Sequence, residues 1–528
     1  MTGLVGEGLA SVARPRGGRR DGRSLALTTI VVVIGILLLL PLIAVIADAQ
    51  SAGWPEISFV LFRPRSATLL LNTLALPLVV TPLAAVFGTA AAWFTERTAL
   101  PGRRIWTILV VLPIAMPDFI VGYAWHTIAP TADPFGAAVL VMTLSSYPLI
   151  YLPVSAALRR TDPALEEAAH SLGLSSARAF FRVVLPSIRS AILAGCLIVV
   201  LALVSEYGAF EIVRFQTFTT EVFTEFQVDP NAAGALSIPL VLIGILVVVG
   251  ESLVPVPRSS ARPGMARPRL VDLGARAVAV TAGFAGLVVL SVGVPVGALV
   301  YWMLSSQHTT LPAQATVLQA TLTTCEYCAG GALLAVLLAI PVAVLSDRRR
   351  RGLALVVERS TYLTLALPGV VIAVSLIFLA LRFAFGLYET SWLVIIGYAL
   401  ITFPLALSCV KTSVRQAPAE LTAMGRSLGR SGVFVFLRVT LPLLAPGLIA
   451  GFCLVFLTAS TELTATLVLQ PPDTVTLSTQ FWAFQSETAY GAAAPYGLVI
   501  IVLSMVPGTL LAIWFDRLGH RQVKAPNQ

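Results

Sequence analysis

Apolar runs of membrane-spanning length recur from one end of this chain to the other, and that one feature leaves few folds open. The runs are Leu25–Ala47, Thr68–Phe94, Ile105–His126, Gly136–Leu158, Ile188–Val204 and Ala232–Val254, then Ala277–Met303, Leu318–Leu345, Leu353–Leu381, Ser391–Val410, Leu443–Ala459 and Ala492–Phe515. A bilayer's hydrocarbon core takes about 20 helical residues to cross. Only 12% of the 528 residues are charged, 57% are hydrophobic, and the mean hydropathy is +0.89. Such a chain cannot hide its apolar surface in a water-soluble core. The expected fold class is an all-α polytopic membrane protein of about twelve transmembrane helices, six per half, with the lipid bilayer as its solvent.

The net charge of +9 does not point to nucleic acid, because the arginines stand in short clusters between the runs. Placing the N-terminus inside and alternating puts Arg97, Arg103 and Arg104, then Arg159 and Arg160, then Arg258, Arg262, Arg267 and Arg269 on the inner side. The run Arg348 to Arg351 with its intervening arginines, then Lys411, Arg415, Arg426 and Arg430, and finally Arg517, Arg521 and Lys524 follow on that side. The largest outer segments are acidic, with Glu211, Glu221, Glu225 and Asp229 in one and Asp473 and Glu487 in the other. Both termini are therefore expected in the cytoplasm of a bacterial cell, with the chain in the inner membrane. The organisation expected is a basic N-terminus (1–24), a first repeat (25–254), a Pro- and Arg-rich cytoplasmic linker (255–274), a second repeat (275–516) and a cytoplasmic tail (517–528). The arginines before Leu25 resemble the start of a signal peptide, but the run after them is long enough to be a retained helix.

Two segments interrupt the apolar pattern and repeat each other. Asp162 to Gly195 reads DPALEEAAHSLGLSSARAFFRVVLPSIRSAILAG, and Pro418 to Gly451 reads PAELTAMGRSLGRSGVFVFLRVTLPLLAPGLIAG. Gly173 and Gly429 are 256 positions apart, as are Leu185-Pro186 and Leu441-Pro442, Tyr147-Pro148 and Phe403-Pro404, and Glu206 and Glu462; Pro117 and Pro368 are 251 apart. Each half holds six runs, so the repeats are parallel, related by an axis along the membrane normal, with a pathway expected between the halves. The two segments fall in cytoplasmic loops 159–187 and 411–443. There each is expected to form a short helix ended by a left-handed glycine and followed by a proline in the first turn of the next helix. Glu167 is expected near the start of its helix, where it favours the dipole and faces a basic partner. Small residues, Ala168, Ala169 and Gly425, let such a helix sit close to a partner surface. A plain interfacial amphipathic segment is the simpler alternative.

These residues resemble a known family. Glu167-Ala168-Ala169, three residues, Gly173, eleven residues, then Leu185-Pro186 is similar to the cytoplasmic-loop signature of ABC importer permeases of the binding-protein-dependent type. The second copy keeps Gly429 and Leu441-Pro442, but Ala423, Met424 and Gly425 stand where Glu167, Ala168 and Ala169 do, and the nearest acid is Glu420. Two such domains in one chain, with LPIAMPDFIVGYAW, LVSEYGAFEIVRFQTFTTEVF and STELTATLVLQPPDTVTLSTQFW, look like the ferric-iron permease subfamily over nearly the whole length. The resemblance implies a type I ABC importer fold and an extracytoplasmic binding protein that delivers Fe³⁺. It also implies two copies of a cytoplasmic ATPase docked at Glu167, Ala168, Ala169, His170, Gly173, Leu185, Pro186, Glu420, Ala423, Gly425, Gly429, Leu441 and Pro442. Thiamine, phosphonate and polyamine permeases are relatives with other cargo.

The chain itself is not expected to be an enzyme or to bind a cofactor. Neither lysine, Lys411 or Lys524, follows a glycine, so it has no phosphate-binding loop of the GK[ST] type, and ATP and Mg²⁺ belong to the partner. Fe³⁺ is a hard cation that prefers oxygen, and Glu206, Tyr207 and Glu462 are the candidate pathway oxygens near the outer mouth, since carboxylates at membrane depth often mark a pathway. Two boundary residues facing water is the alternative. His126 and His308 lack metal-ligand spacing, and Cys325 and Cys328 read as small apolar residues on a membrane helix rather than a redox pair. A twelve-helix secondary transporter matches the runs but not the Glu-Ala-Ala and Leu-Pro repeats. A membrane metalloenzyme lacks its His-Glu-x-x-His.

Overall fold

The computed structural model describes residues 22–253, 270–305, 311–348, 361, 367–417 and 419–523. The basic N-terminus to residue 21, most of the linker, the first part of the run Leu353–Leu381 and the end of the tail lie outside them. The first repeat holds α1 (Gly22–Leu61), α2 (Pro64–Arg97), α3 (Arg103–Leu109), α4 (Asp118–Ile128), α5 (Pro134–Arg160), α6 (Pro163–Ser171), α7 (Leu185–Ser205), α8 (Gly208–Ile212), α9 (Phe218–Phe226) and α10 (Pro230–Leu253). The second holds α11 (Arg276–Val288), α12 (Val294–Ser305), α13 (Gln314–Arg348), α14 (Gly369–Phe383), α15 (Ser391–Gln416), α16 (Ala419–Ser427), α17 (Leu441–Ser460), α18 (Thr464–Leu469), α19 (Leu477–Ser486) and α20 (Tyr490–Val523). Among the described residues, ten helices are long and apolar enough to cross a membrane.

The expected span Ile105–His126 is not straight. Helices 103–115 and 118–128 meet at 92°. The cause is Pro117, which forces Met116 into an extended conformation (φ −99°, ψ 124°) before α4 restarts. Pro368 is likewise extended (φ −57°, ψ 147°) and opens α14.

Prolines also set the geometry of three continuous helices. One-turn π-helices at Phe180–Val184, Val289–Gly293 and Phe436–Thr440 each run directly into an X-Pro pair, Leu185-Pro186, Val294-Pro295 and Leu441-Pro442. A proline inside a helix donates no hydrogen bond and its ring presses on the carbonyl four residues back. Widening the turn by one residue relieves that pressure, so Leu185 N–H bonds Phe180 O and Leu441 N–H bonds Phe436 O. The expected helix start at Pro186 is therefore a bulge in a helix that has already begun.

The two halves are not two separate lobes. One buried cluster joins Leu76, Ile120, Tyr147, Tyr151 and Ile188 of the first repeat to Leu299, Tyr496 and Ile500 of the second. The other joins Val370, Tyr398, Phe403 and Val455 of the second repeat to Val31, Leu38, Leu236 and Leu240 of the first. The first and last spanning helices of each half thus leave their own core and close the other one: α1 packs on α10, α13 and α14, and α12 packs on α4 and α20. Ser504 Oγ of α20 donates to the Ala115 carbonyl beside the α3–α4 bend, tying the second repeat's last helix to the first repeat's core. In lipid, helices associate through close packing of small residues. Gly88 and Gly195 meet α5 so closely that a Cβ at either would stand 2.6 Å from Tyr147 O or 2.8 Å from Ile150 Cα.

The duplication extends to single hydrogen bonds. Thr73 Oγ1 accepts from Phe218 N at 3.1 Å, and Thr324 Oγ1 accepts from Leu477 N at 2.9 Å. Thr217 with Thr220, and Thr476 with Thr479, build matching capping boxes that start α9 and α19.

Candidate functional site: two elbows and a carboxylate seam

Both elbows are short helices closed in the same way. Asp162 caps α6, its Oδ1 accepting from Ala164 N at 2.9 Å. At the far end Gly173 (φ +82°) sends its N–H to His170 O, and Leu174 N–H reaches back to Ala169 O. This is the paired-bond C-terminus that a left-handed glycine permits. Gly429 (φ +73°) shares the left-handed angle and the longer-range bond, with Arg430 N–H on Gly425 O. A Cβ at either glycine would meet nothing within 4 Å, so the backbone angle alone selects glycine here.

The side chains divide by direction. Glu167, Ala168 and His170 are exposed, with His170 Nδ1 3.0 Å from Leu174 O, an oxygen that can only accept. Ala169 is buried, so its small size serves packing within the chain rather than against a partner. In the second elbow a Cβ on Gly425 would stand 2.9 Å from Val435 Cγ2. The residues at the matching positions of the first elbow are Ala169 and Ala179, both buried. Ala with Ala in one copy and Gly with Val in the other fill the same space, as volume-conserving exchanges do. Glu167 lies in the middle of α6, not at its start; the acid of the first turn is Glu166. Pro186 and Pro442 are exposed, and Leu185 and Leu441 half-buried. Glu420 and Ala423 are exposed on α16. Beside each glycine an exposed leucine projects, Leu172 at 84% and Leu428 at 77%.

The seam lies where the repeats meet. Gly208 is pressed between them: a Cβ there would be 2.8 Å from Leu463 Cδ2 and 2.9 Å from Phe119 Cβ. Glu206 and Glu462 each fold back to cap the short helix that follows, accepting from Ala209 N at 2.8 Å and Ala465 N at 3.1 Å. Each thus keeps carboxylate oxygen capacity beyond that one bond. Glu206 lies within electrostatic reach of Asp118 and of Glu462. Across the pseudo-axis, the Glu462 carboxylate stands 3.1 Å from where a Cβ of Gly369 would be. Gly369 is the counterpart of Asp118 at the 251-residue spacing, so the seam carries two carboxylates on one side and one on the other. Among the described residues no group of three or more His, Cys, Asp or Glu side chains stands close enough to hold a metal ion.

The family of binding-protein-dependent transport system inner membrane components matches residues 84–256 and 331–524, once in each repeat. The chain belongs to this family. It is 37% identical over 492 residues to the Fe(3+)-transport system permease protein FbpB 2 of Haemophilus influenzae, covering 92% of this chain and 97% of the relative. The ferric transport system permease protein FbpB of Actinobacillus pleuropneumoniae is 22% identical over 93% of this chain and 77% of its own length. The sulfate transport system permease protein CysT of Salmonella typhimurium is 29% identical, over 36% of this chain and 73% of its own length.

Within this permease the pathway candidates are rearranged. Tyr207 is buried, its ring 4.4 Å from that of Phe223 and 5.6 Å from that of Trp482, so it packs the seam between repeats. Two of the acids in the segment 211–229 are paired: Arg63 binds Glu221 at 2.9 Å and Glu225 at 2.8 Å, and Arg65 binds Glu221 at 2.6 Å. Asp118 joins Glu206 and Glu462 at the seam, and the signal for it in LPIAMPDFIVGYAW is its place directly after the helix-breaking Pro117. His308 lies outside the described residues, and His126 has no metal-ligating partners among them. Cys325 and Cys328 are free thiols on α13.

Proposed function

We propose that this permease is the membrane subunit of an ATP-driven importer that moves Fe³⁺ handed over by an extracytoplasmic binding protein. Two copies of a separate ATPase seat on the elbows, and both termini face the cytoplasm. The observation that carries the docking is the uncovered pair Leu172 and Leu428, matched at 256 residues and flanked by glycines of the same backbone angle. Exposed apolar side chains at duplicated positions on rigid joints are surfaces for a partner. ATP binding draws the two ATPases together, the elbows follow, and the seam opens outward for cargo.

The cargo reading rests on the ferric relatives and on the oxygen chemistry of the seam. Asp118, Glu206 and Glu462 are hard oxygen donors suited to a hard cation. Uptake into proteoliposomes containing the permease, its ATPase and its binding protein tests this with Fe³⁺, thiamine, a phosphonate and sulfate. ATP-dependent accumulation of Fe³⁺ alone is the expected result. Accumulation of another cargo and not Fe³⁺ overturns the cargo assignment, and no ATP-dependent uptake of any overturns the importer reading.

A further inference from the structure

The first elbow is fastened to the transmembrane core at one buried residue that neither the family signature nor the seam includes. Arg97, the last residue of α2, is 2% exposed. Its Nη2 donates to Leu158 O at 3.0 Å and to Thr161 O at 3.2 Å, the last turn of α5 and the residue just before the cap of α6. Its Nε points toward Glu166 Oε2 at 3.9 Å, and this buried nitrogen has no hydrogen-bond partner. The neighbouring Glu96 binds Ser155 Oγ at 2.7 Å and Arg159 Nε and Nη2 at 2.9 and 2.7 Å, fixing the same end of α5.

The backbone at this point is held from the other side by the linker between repeats. Val271 N donates to Arg97 O at 2.9 Å and Ala99 N donates to Val271 O at 3.0 Å, an isolated parallel bridge between Thr98 and Val271. Five residues later α11 begins and carries Phe284 onto Phe94 and Trp106 of the first repeat. The elbow and α5 therefore meet the side chain of Arg97, and the entry to the second repeat meets its backbone.

We infer that Arg97 is the positioning residue through which the first elbow drives the transmembrane core, and that its open contact with Glu166 closes when the elbow is pushed. A gap of 3.9 Å is about 1 Å beyond a charge-assisted hydrogen bond. An unpaired buried guanidinium N–H is costly, so inward motion of α6 is rewarded by completing that bond, and the pushed state is favoured. The planar fork of arginine is needed because one group serves two carbonyls and a carboxylate in different directions. In sequence the second elbow has no acid at the matching position: Arg348 answers Arg97 and Arg415 answers Arg159, but Thr422 stands where Glu166 does. The first elbow is the one that transmits the push with an ionic stop.

This rests on the elbows being the ATPase seats, and the test separates the two claims. The permease is purified with its ATPase and reconstituted with the binding protein, and ATP hydrolysed per Fe³⁺ imported is measured for wild type, Glu166→Ala and Glu166→Gln. Both variants keep every carbonyl bond of Arg97, but only glutamine keeps a side-chain oxygen that can accept from its Nε–H. In both, ATPase content and thermal midpoint stay at wild-type values, while ATP used per ion rises about fivefold in Glu166→Ala, the low end of a typical coupling free energy, and by less in Glu166→Gln. If Glu166→Ala keeps the wild-type ratio, the inference is overturned although the seats remain. If the wild-type permease retains no ATPase, the seat assignment fails and takes the inference with it.

Discussion

The two elbows share a backbone and differ in what they present. Both end on a left-handed glycine, both show a bare leucine, and both join the membrane helix through a π-turn before Leu-Pro. The first adds the exposed Glu167 and the Glu166–Arg97 pair, whereas the second shows Ala423 and Met424 and sets Thr422 at the place of Glu166. The shape of the joint has been kept in both copies, and the charge in one. A joint that only follows its partner needs the shape. A joint that must also register with the core needs the charge.

That comparison can be broken at matched positions. The largest expected effect is on packing. A Cβ at Gly195 would stand 2.8 Å from Ile150 Cα, whereas at Gly451 the nearest atom would be 3.5 Å away. Gly195→Ala should destabilise the permease by about 1–3 kcal/mol, read as a lower thermal midpoint in detergent, and Gly451→Ala should leave the midpoint unchanged. Equal shifts would show that the two cores are packed alike. Next comes charge on the elbows. Glu167→Lys should cut ATP-driven uptake about tenfold, equal to about 1.4 kcal/mol, and Ala423→Lys by less, with membrane insertion normal in both. Equal losses would mean that the ATPases read the two elbows identically.

A smaller effect, equal in the two copies, is expected where the elbows are the same. Gly173→Ala and Gly429→Ala each place a Cβ at positive φ, at a cost of about 1 kcal/mol, and limited proteolysis should show similar loosening of both segments. The smallest effect is on the seam. Glu206→Gln with Glu462→Gln should slow Fe³⁺ uptake about threefold, roughly 0.6 kcal/mol, with ATPase docking intact. Asp118→Asn should add to it. Unchanged uptake kinetics would remove these carboxylates from the pathway.

Much of this was legible in the residues because it depends on local rules. Run length gave the membrane helices, and glycine between polar helix formers gave the elbow ends. The 256-residue spacing gave the repeat. What stayed hidden depends on distant contacts. Nothing in the run Leu25–Ala47 says that Val31 and Leu38 will pack with Val370 and Phe403 of the other half. Pro117 was visible, but the 92° bend it starts also needs α20 to accept the turned chain. Arg97 looked like one more inner-side arginine, since burial is what separates it from Arg103 and Arg104. Tyr207 looked like an oxygen donor beside Glu206, and only the rings of Phe223 and Trp482 show it to be a packing residue.

The central claim is mechanical: two inward joints receive force from another subunit. Its most direct measurement is site-specific photocross-linking in native membranes, with a light-activated residue placed at position 168 or at position 423 and the ATPase co-expressed. The account predicts an adduct with the ATPase from both positions, stronger from the first. Adducts with lipid only, or labelling of either position by an impermeant reagent applied from outside, would contradict it.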